Sequence, residues 1–370
     1  MKKIVFSANT SWYLYNFRKS SLIAFINKGY EVHCVCPEDS YSEKLTNEIG
    51  CKWHNIKMDR KGSNPLKDLL LFCSFLYLYL KINPIYVFNF TLKNNIYSTW
   101  AAKLVYAKVI NNVSGLGTAF INNNFTSKVV RLLYKLSQPF SSHVFCQNKD
   151  DFELLVSNGL INKNKLRLIP GSGVDVKRFI PQEENEKKLY TTFSFLFVGR
   201  LMADKGLNEL FAAAMKLNQQ GYKFVVILCG FSSVDNKSAI SLEKLKFWTS
   251  HHYIEWIGSS DHIESVYEKA DCVVLPSYRE GMPKTLIEAG AMGIPSIATD
   301  VAGCKHIIED NYNGLLCEVK NIDSLAIKMK KMINMTKEDR LRLSKNARKK
   351  VVEQFDESIV VNETLKIVDA

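Results

Sequence analysis

The order of the apolar runs constrains this chain more than any other feature. Short β-branched or apolar runs alternate with longer helical patterns. The first series has strand-like runs at Ile4–Ser7, Glu31–Cys36, Lys52–Lys57, Ile85–Asn89, Val109–Val113, His143–Gln147 and Leu166–Ile169. The pattern then resets and runs from Ser194–Gly199 to Gly314–Glu318. Such alternation with short connections gives parallel sheets with helices on both faces. Two series in 370 residues predict an α/β chain of two doubly wound domains. The expected domains are 1–180 and 181–355. The linker is expected at Pro181–Lys188, where Q-E-E-N-E-K-K follows the proline. Ligands in such folds collect beyond the carboxyl ends of strands, so an interdomain cleft is the expected site.

Charge divides along the same line. Residues 1–180 hold 24 basic and 11 acidic residues, a net +13; the remainder holds 25 and 26, a net −1. An anionic partner for the first half follows, either nucleic acid or an anionic membrane surface. No aromatic platform or Arg-rich arm supports nucleic acid. Lys128, Arg131 and Lys135 alternate with Val129, Leu132 and Leu136, which reads as a basic amphipathic helix able to lie on a bilayer or as an ordinary surface helix. The longest apolar run, Leu69–Leu80, falls short of the ~20 residues that span a bilayer and reads as a buried helix. Lys2-Lys3 precede too short an apolar run for an export signal. The nine cysteines form no C-x-x-C and lie mostly in strand-like runs, so they read as reduced core residues of a cytoplasmic protein.

The stretch from Leu275 to Pro295, L-P-S-Y-R-E-G-M-P-K-T-L-I-E-A-G-A-M-G-I-P, follows a buried strand and opens a helix. Pro283 suits the first helical turn, and Gly281 allows close approach of a ligand to the backbone. The N–H groups of Lys284, Thr285 and Leu286 are then expected to be unpaired and to face a phosphate or diphosphate. Glu280 and Glu288 would flank that anion and accept hydroxyls, sugar on one side and ribose on the other. A second loop, F-V-G-R-L-M-A-D-K-G from Phe197 to Gly206, offers Arg200 and Lys205 on the same side of the sheet. A planar fork and a point charge suit phosphate oxygens.

These residues resemble the retaining glycosyltransferases of family 4, which have the GT-B fold of two facing Rossmann-like domains. The similarity runs through V-G-R-L…K-G (198–206), W-I-G…D (256–261), A-D-C-V-V-L-P-S…E-G-M-P…L-I-E-A…G-I-P (270–295) and V-A-G…I-I…N-G-L-L (301–316). Glu280 and Glu288 match that family's E-x7-E motif. In the first half, Y-N-F-R (15–18), T-L-K-N-N-I-Y-S (91–98) and I-N-N-V-S-G-L-G (110–117) are similar to bacterial enzymes that build capsule, O-antigen and N-glycan saccharides on a lipid carrier.

The resemblance implies a nucleotide-sugar donor, best matched by UDP carrying N-acetylhexosamine or galactose. It implies a polyprenyl-diphosphate-linked saccharide as acceptor, at the cytoplasmic face of an inner membrane with anionic lipid. Arg200 and Lys205 would neutralise the leaving diphosphate. Glu280 would hold sugar hydroxyls, with Met282 shaping that pocket. Gly281, Pro283, Lys284, Thr285 and Leu286 would complete the donor site, Glu288 would bind the ribose, and the base would sit near Trp256–Asp261. Asn16, Arg18, Lys93, Asn94 and Ser114 are the acceptor-side candidates, and the resemblance implies a terminal helix over 356–370 that crosses back to the N-terminal domain. The sequence has no D-x-D pair, so Arg and Lys are expected to replace a divalent metal. Two departures stand out. The loop after the first strand, Ser7 to Trp12, lacks the family's Gly-Gly. The segment Asn89–Asn94 lacks its histidine. A nucleotide-sugar epimerase on the same fold and a non-catalytic binder of membrane or nucleic acid are the competing readings.

Overall fold

The computed structural model describes residues 1–59, 64–115, 125–182, 192–231 and 238–369. Most of the expected linker, 183–188, lies outside the described residues. The chain divides into two compact units: Met1–Ser172 with Glu357–Ala370, and Gly173–Asp356.

Unit 1 is built on seven strands: β1 (Lys3–Ser7), β2 (Glu31–Cys36), β3 (Lys52–Asn55), β4 (Tyr86–Phe90), β5 (Lys108–Val113), β6 (His143–Cys146) and β7 (Leu166–Leu168). All pair in parallel, in the order β3-β2-β1-β4-β5-β6-β7. Its helices are α1 (Ser11–Asn27), α2 (Ser42–Asn47), α3 (Pro65–Ile82), α4 (Thr99–Leu104), α5 (Phe125–Ser137) and α6 (Lys149–Ser157). The middle of β1, Ile4 to Phe6, is apolar because both its faces are covered. Val5 enters one core with Phe75 and Val109, while Ile4 and Phe6 enter the other with Leu14 and Phe88.

Unit 2 has six parallel strands: β8 (Phe193–Val198), β9 (Phe224–Cys229), β10 (Ile254–Trp256), β11 (Cys272–Leu275), β12 (Ser296–Thr299) and β13 (Gly314–Cys317). Their order is β10-β9-β8-β11-β12-β13. Around them lie α7 (Leu207–Gln219), α8 (Leu242–Thr249), α9 (Ile263–Tyr267), α10 (Lys284–Ala291), α11 (Cys304–Ile307), α12 (Ile322–Asn334) and α13 (Lys337–Gln354). The last helix, α14 (Glu357–Asp369), belongs to unit 1 and packs on α1, where Lys28 meets Asp369 at 2.5 Å.

Several elements depart from the sequence reading. The Leu69–Leu80 run is helical but only half buried. Leu71, Phe75, Tyr79 and Ile82 face the core, while Leu66, Leu69, Leu70, Tyr77 and Leu80 are exposed. A long apolar run is therefore not a fully buried helix here. The chain enters α4 through a π-turn, Asn94–Ser98, which no feature of the sequence marks. The short helices α2, α8 and α11 carry too few turns to give a periodic signal. All nine cysteines are unpaired, and only Cys73 on α3 is exposed. Among the described residues no helix is long and apolar enough to cross a membrane.

Candidate active site

In both sheets the strand order reverses beside the first strand, and the crevice at such a reversal is where ligands bind in doubly wound folds. In unit 2 the reversal lies between β8 and β11. The loops leaving those strands are the two that carry the sequence-predicted donor residues.

The β8 loop turns sharply after Gly199. Arg200 is exposed and has no ion pair among the described residues. Lys205 ends a 3-10 turn (Ala203–Lys205), and Gly206 follows with φ +73° as the N-cap of α7. A Cβ at Gly206 would lie 2.0 Å from the Pro276 carbonyl oxygen, so only glycine lets this loop close on the β11 loop. The Tyr278 N–H donates to the Asp204 carbonyl at 2.9 Å, and the Tyr278 hydroxyl donates to Glu209 at 2.7 Å. The two loops are thereby one unit of structure.

Across this junction Lys205 Nζ meets Glu280 Oε1 at 2.5 Å, with the two side chains 20% and 12% exposed. The cation expected on diphosphate and the carboxylate expected on sugar hydroxyls are thus direct neighbours. Glu280 is held from behind by the V-A-G loop. Gly303 has φ +82°, and a Cβ there would lie 2.5 Å from the Gly281 carbonyl oxygen and 2.8 Å from that of Glu280. Met282 packs on the unit 2 core.

The start of α10 differs from expectation in two respects. Pro283 is the N-cap, with extended backbone (ψ 113°), rather than a first-turn residue. The Leu286 N–H donates to the Pro283 carbonyl at 3.1 Å and is therefore not an open anion donor. The reason is local: an N-cap carbonyl can accept a tight i→i+3 bond that consumes one first-turn N–H. Thr285 Oγ1 donates to the Val198 carbonyl at 3.2 Å, which fastens α10 to the end of β8.

Glu288, in the second turn, is buried. Its Oε1 lies 3.5 Å from Lys284 Nζ, and its Oε2 accepts the Tyr267 hydroxyl at 2.9 Å. Burial pushes the Glu288 carboxyl above its usual range, against the opposing pull of Lys284, the Tyr267 hydroxyl and Arg178. Burial, with Glu288 alongside, also raises the Tyr267 hydroxyl well above its ordinary value. Arg178 is ion-paired through Nε with Glu264. Sequence reasoning missed Tyr267 and Arg178. Each sits in an unremarkable helical or loop context, and only tertiary packing brings it to Glu288. In the region expected to hold the base, the Trp256 indole donates to the Gly230 carbonyl at 2.8 Å, and the Gly230 N–H donates to Gly258 at 2.6 Å.

The acceptor-side candidates lie in unit 1. Arg18 is 3% exposed, stacks its guanidinium 4.5 Å over the Phe90 ring and donates to the Tyr13 hydroxyl at 3.3 Å. Its Nε is buried without a partner among the described residues. It lines a small cavity of about 10 Å³ with Ser21, Phe90, Asn112 and Thr364. Lys93 is paired with Asp68 at 2.6 Å, and the Tyr97 hydroxyl donates to the same carboxylate at 2.9 Å. Asn94 is fully buried and donates to Ser7 Oγ at 3.0 Å. Asn16 donates to the Trp12 carbonyl at 3.0 Å, and Ser114 is half-buried just beyond β5. The structure therefore separates them. Arg18 faces a small cavity, Lys93 is paired with Asp68, and Asn94 belongs to a buried framework. In that framework Ser7 and Ser98 both donate to Asn89 Oδ1, and Asn89 donates to Asn111 at 3.0 Å. Thr91, where this framework turns, holds φ +81°, a strained conformation for a β-branched residue. Among the described residues no cluster of three His, Cys, Asp or Glu could hold a metal ion.

Comparison with known proteins places this arrangement. Residues 178–350 match the family model described as glycosyl transferases group 1, and residues 3–148 match that described as glycosyl transferase 4-like. The chain is 30% identical to the N,N'-diacetylbacillosaminyl-diphospho-undecaprenol alpha-1,3-N-acetylgalactosaminyltransferase of Campylobacter jejuni, over 99% of this chain and 98% of the relative. It is 28% identical to the UDP-Gal:alpha-D-GlcNAc-diphosphoundecaprenol alpha-1,3-galactosyltransferase of Escherichia coli, covering 93% and 89% of the two chains. Among solved structures, Anabaena HepE in complex with UDP and glucose superposes with a TM-score of 0.82 at 16% identity, covering 100% of each chain. A Rickettsia africae glycosyltransferase gives 0.78 at 18% identity, covering 99% and 97%. These similarities show the GT-B fold and the activity class. The chain belongs to the group 1 glycosyltransferases, with a family-4-like first half.

Proposed function

We propose that the chain transfers a hexosyl or N-acetylhexosaminyl residue, with retention, from a UDP-sugar to a polyprenyl-diphosphate-linked saccharide in bacterial surface-glycan synthesis. The observation that carries the reading is the Lys205–Glu280 junction between the β8 and β11 loops. Breaking a sugar–phosphate bond puts negative charge on the diphosphate and positive charge on the ring. A fixed ammonium beside a fixed carboxylate matches that separation. Arg200, exposed on the same loop, supplies the second cation. Glu288, pinned by Tyr267, is the hydroxyl acceptor for the ribose. With two cations on the leaving group, no divalent metal is required.

The acceptor class is supported by relatives whose names specify undecaprenol-diphosphate-linked saccharides. The donor nucleotide is supported by HepE, described in complex with UDP. In unit 1, Arg18 is the cation best placed for an acceptor phosphate, because it is buried with no carboxylate partner among the described residues. Lys93, already paired with Asp68, is withdrawn from that role.

The test is a transfer assay with UDP-GalNAc, UDP-GlcNAc and UDP-Gal, in EDTA, onto short-chain polyprenyl-diphosphate saccharides, with the product anomer read by NMR. Formation of an α-linked product from an α-linked donor supports the proposal. An inverted product, strict metal dependence, or donor turnover that ignores every acceptor contradicts it, and the last outcome favours the epimerase.

A further inference from the structure

Two helices of unit 1 carry apolar stripes that the core does not use. On α3, Leu66, Leu70, Cys73, Tyr77 and Leu80 recur at helical spacing on the outward side, with Leu70 67% and Leu80 66% exposed. On α5, Phe125, Val129, Leu132 and Leu136 form a second exposed stripe, continued by Phe140. Both helices pack against the Asn94–Ser98 turn, so they lie in one layer on one side of the sheet.

The charge of this layer selects its partner. Between Arg60 and Asn148 the sequence holds ten Lys or Arg and a single acid, Asp68. That acid is occupied by Lys93 and Tyr97. Lys81, Lys128 and Lys135, exposed along the stripes, are all cations, while Lys67 at the start of α3 is paired with Asp59 at 3.2 Å.

We propose that the outward faces of α3 and α5 seat on an anionic lipid bilayer, with the Leu and Phe side chains in the headgroup–acyl boundary and the lysines on lipid phosphates. Apolar side chains bordered by cations are what an interfacial helix presents. α3 is 18 residues, roughly 27 Å at 1.5 Å per residue, and its inner side is committed to the core, so it lies in the membrane plane. A second copy of the chain would bring cations against cations. A nucleic acid would leave the apolar stripes unburied. The inference rests on the lipid-linked acceptor of the proposed function and names the surface that would bring the chain to it.

The experiment is co-sedimentation of the full chain with phosphatidylcholine vesicles, with and without one-third phosphatidylglycerol, at low and high salt. Binding to the anionic vesicles is expected to be at least tenfold tighter than to neutral ones and to weaken with salt. Leu70→Glu with Leu80→Glu, or Lys128→Glu with Lys135→Glu, is expected to lose at least tenfold. The unfolding temperature and turnover of a short, water-soluble diphosphate acceptor should remain unchanged. Equal binding to neutral vesicles, or full binding by both double variants, overturns the proposal. So does a solution dimer that the leucine variant dissolves, because it assigns the face to a second copy. Failure of turnover in the wild type would fault the proposed function while leaving the vesicle result to be judged on its own.

Discussion

Under the proposed function a diphosphate arriving at Lys205 would compete with Glu280 for one ammonium, making the pair both a structural bond and the gate to the donor. Lys205→Ala leaves a mostly buried carboxylate without its cation. The expected cost is about 2 kcal/mol, below the ~3–5 kcal/mol of a fully buried pair because both side chains retain some solvent. Removing both partners should recover part of that loss in urea unfolding, since the uncompensated charge is gone. Each single change should lower kcat/KM by at least ~100-fold, the scale of losing a preorganised charge beside the reacting bond. At Tyr267 the expectation differs. Tyr267→Phe removes one hydrogen bond to a carboxylate, of order 1.5–3 kcal/mol. Donor KM should therefore rise roughly tenfold or more with kcat little changed. A fall in kcat at constant KM would show that Glu288 acts on the reacting sugar instead of holding the ribose. Glu280 and Lys205 could be named as candidates from the sequence because a motif marks them. Tyr267 was not, because its role depends on a 2.9 Å contact made across 21 residues by packing alone.

At the scale of elements, the strand series was legible because most inner strands are largely apolar on both faces and short connections follow. The helix termini and half-buried faces were not. The Leu69–Leu80 run gives no polar face from which to read which side meets the core. The first turn of α10 is set by the ψ of Pro283, which sequence does not specify. Glycines show how the loops are locked. At Gly303 a Cβ meets backbone at 2.5 Å, whereas at Gly258, also at positive φ (+74°), nothing lies within 4 Å. Gly258→Ala should cost only the conformational penalty, about 1 kcal/mol. Gly303→Ala must also push the 280–281 loop aside, so it should cost more and should weaken donor binding at least tenfold. Denaturant midpoints and nucleotide titrations of the two variants check this. Equal costs would mean that the V-A-G loop does not set the position of Glu280.

At the scale of the whole molecule, the buried histidines of unit 1 and Glu288 of unit 2 are expected to respond to pH in opposite senses. In unit 1, burial lowers the pKa of His33, His54 and His143 from the ordinary 6.5. Glu31, bonded to His33 and Lys52, opposes that shift at His33. Each histidine is therefore favoured neutral in the fold. Its contribution is present above about pH 6.5 and is lost as pH falls through and below that value. Glu288 in unit 2 has a raised pKa, so its contribution is fullest below the ordinary 4.5 and is lost as pH rises through its elevated value. Calorimetry from pH 7.5 to 5.5 should show the melting temperature falling, and His33→Gln with His54→Gln should flatten that fall. Glu288→Gln should raise the melting temperature at neutral pH while weakening nucleotide binding. An unchanged slope in the double histidine variant would contradict the first assignment.

The central claim is that the junction of the β8 and β11 loops is a nucleotide-sugar site. It is tested most directly by unfolding the full chain in EDTA with UDP, GDP, ADP and a panel of their sugars. Ligand at about 100 times its Kd stabilises by roughly 2.7 kcal/mol. The account predicts a clear rise with UDP and with at least one UDP-sugar, abolished by Lys205→Ala with Glu280→Ala. No rise with any nucleotide in a folded sample, or a rise that the double variant retains, would contradict it.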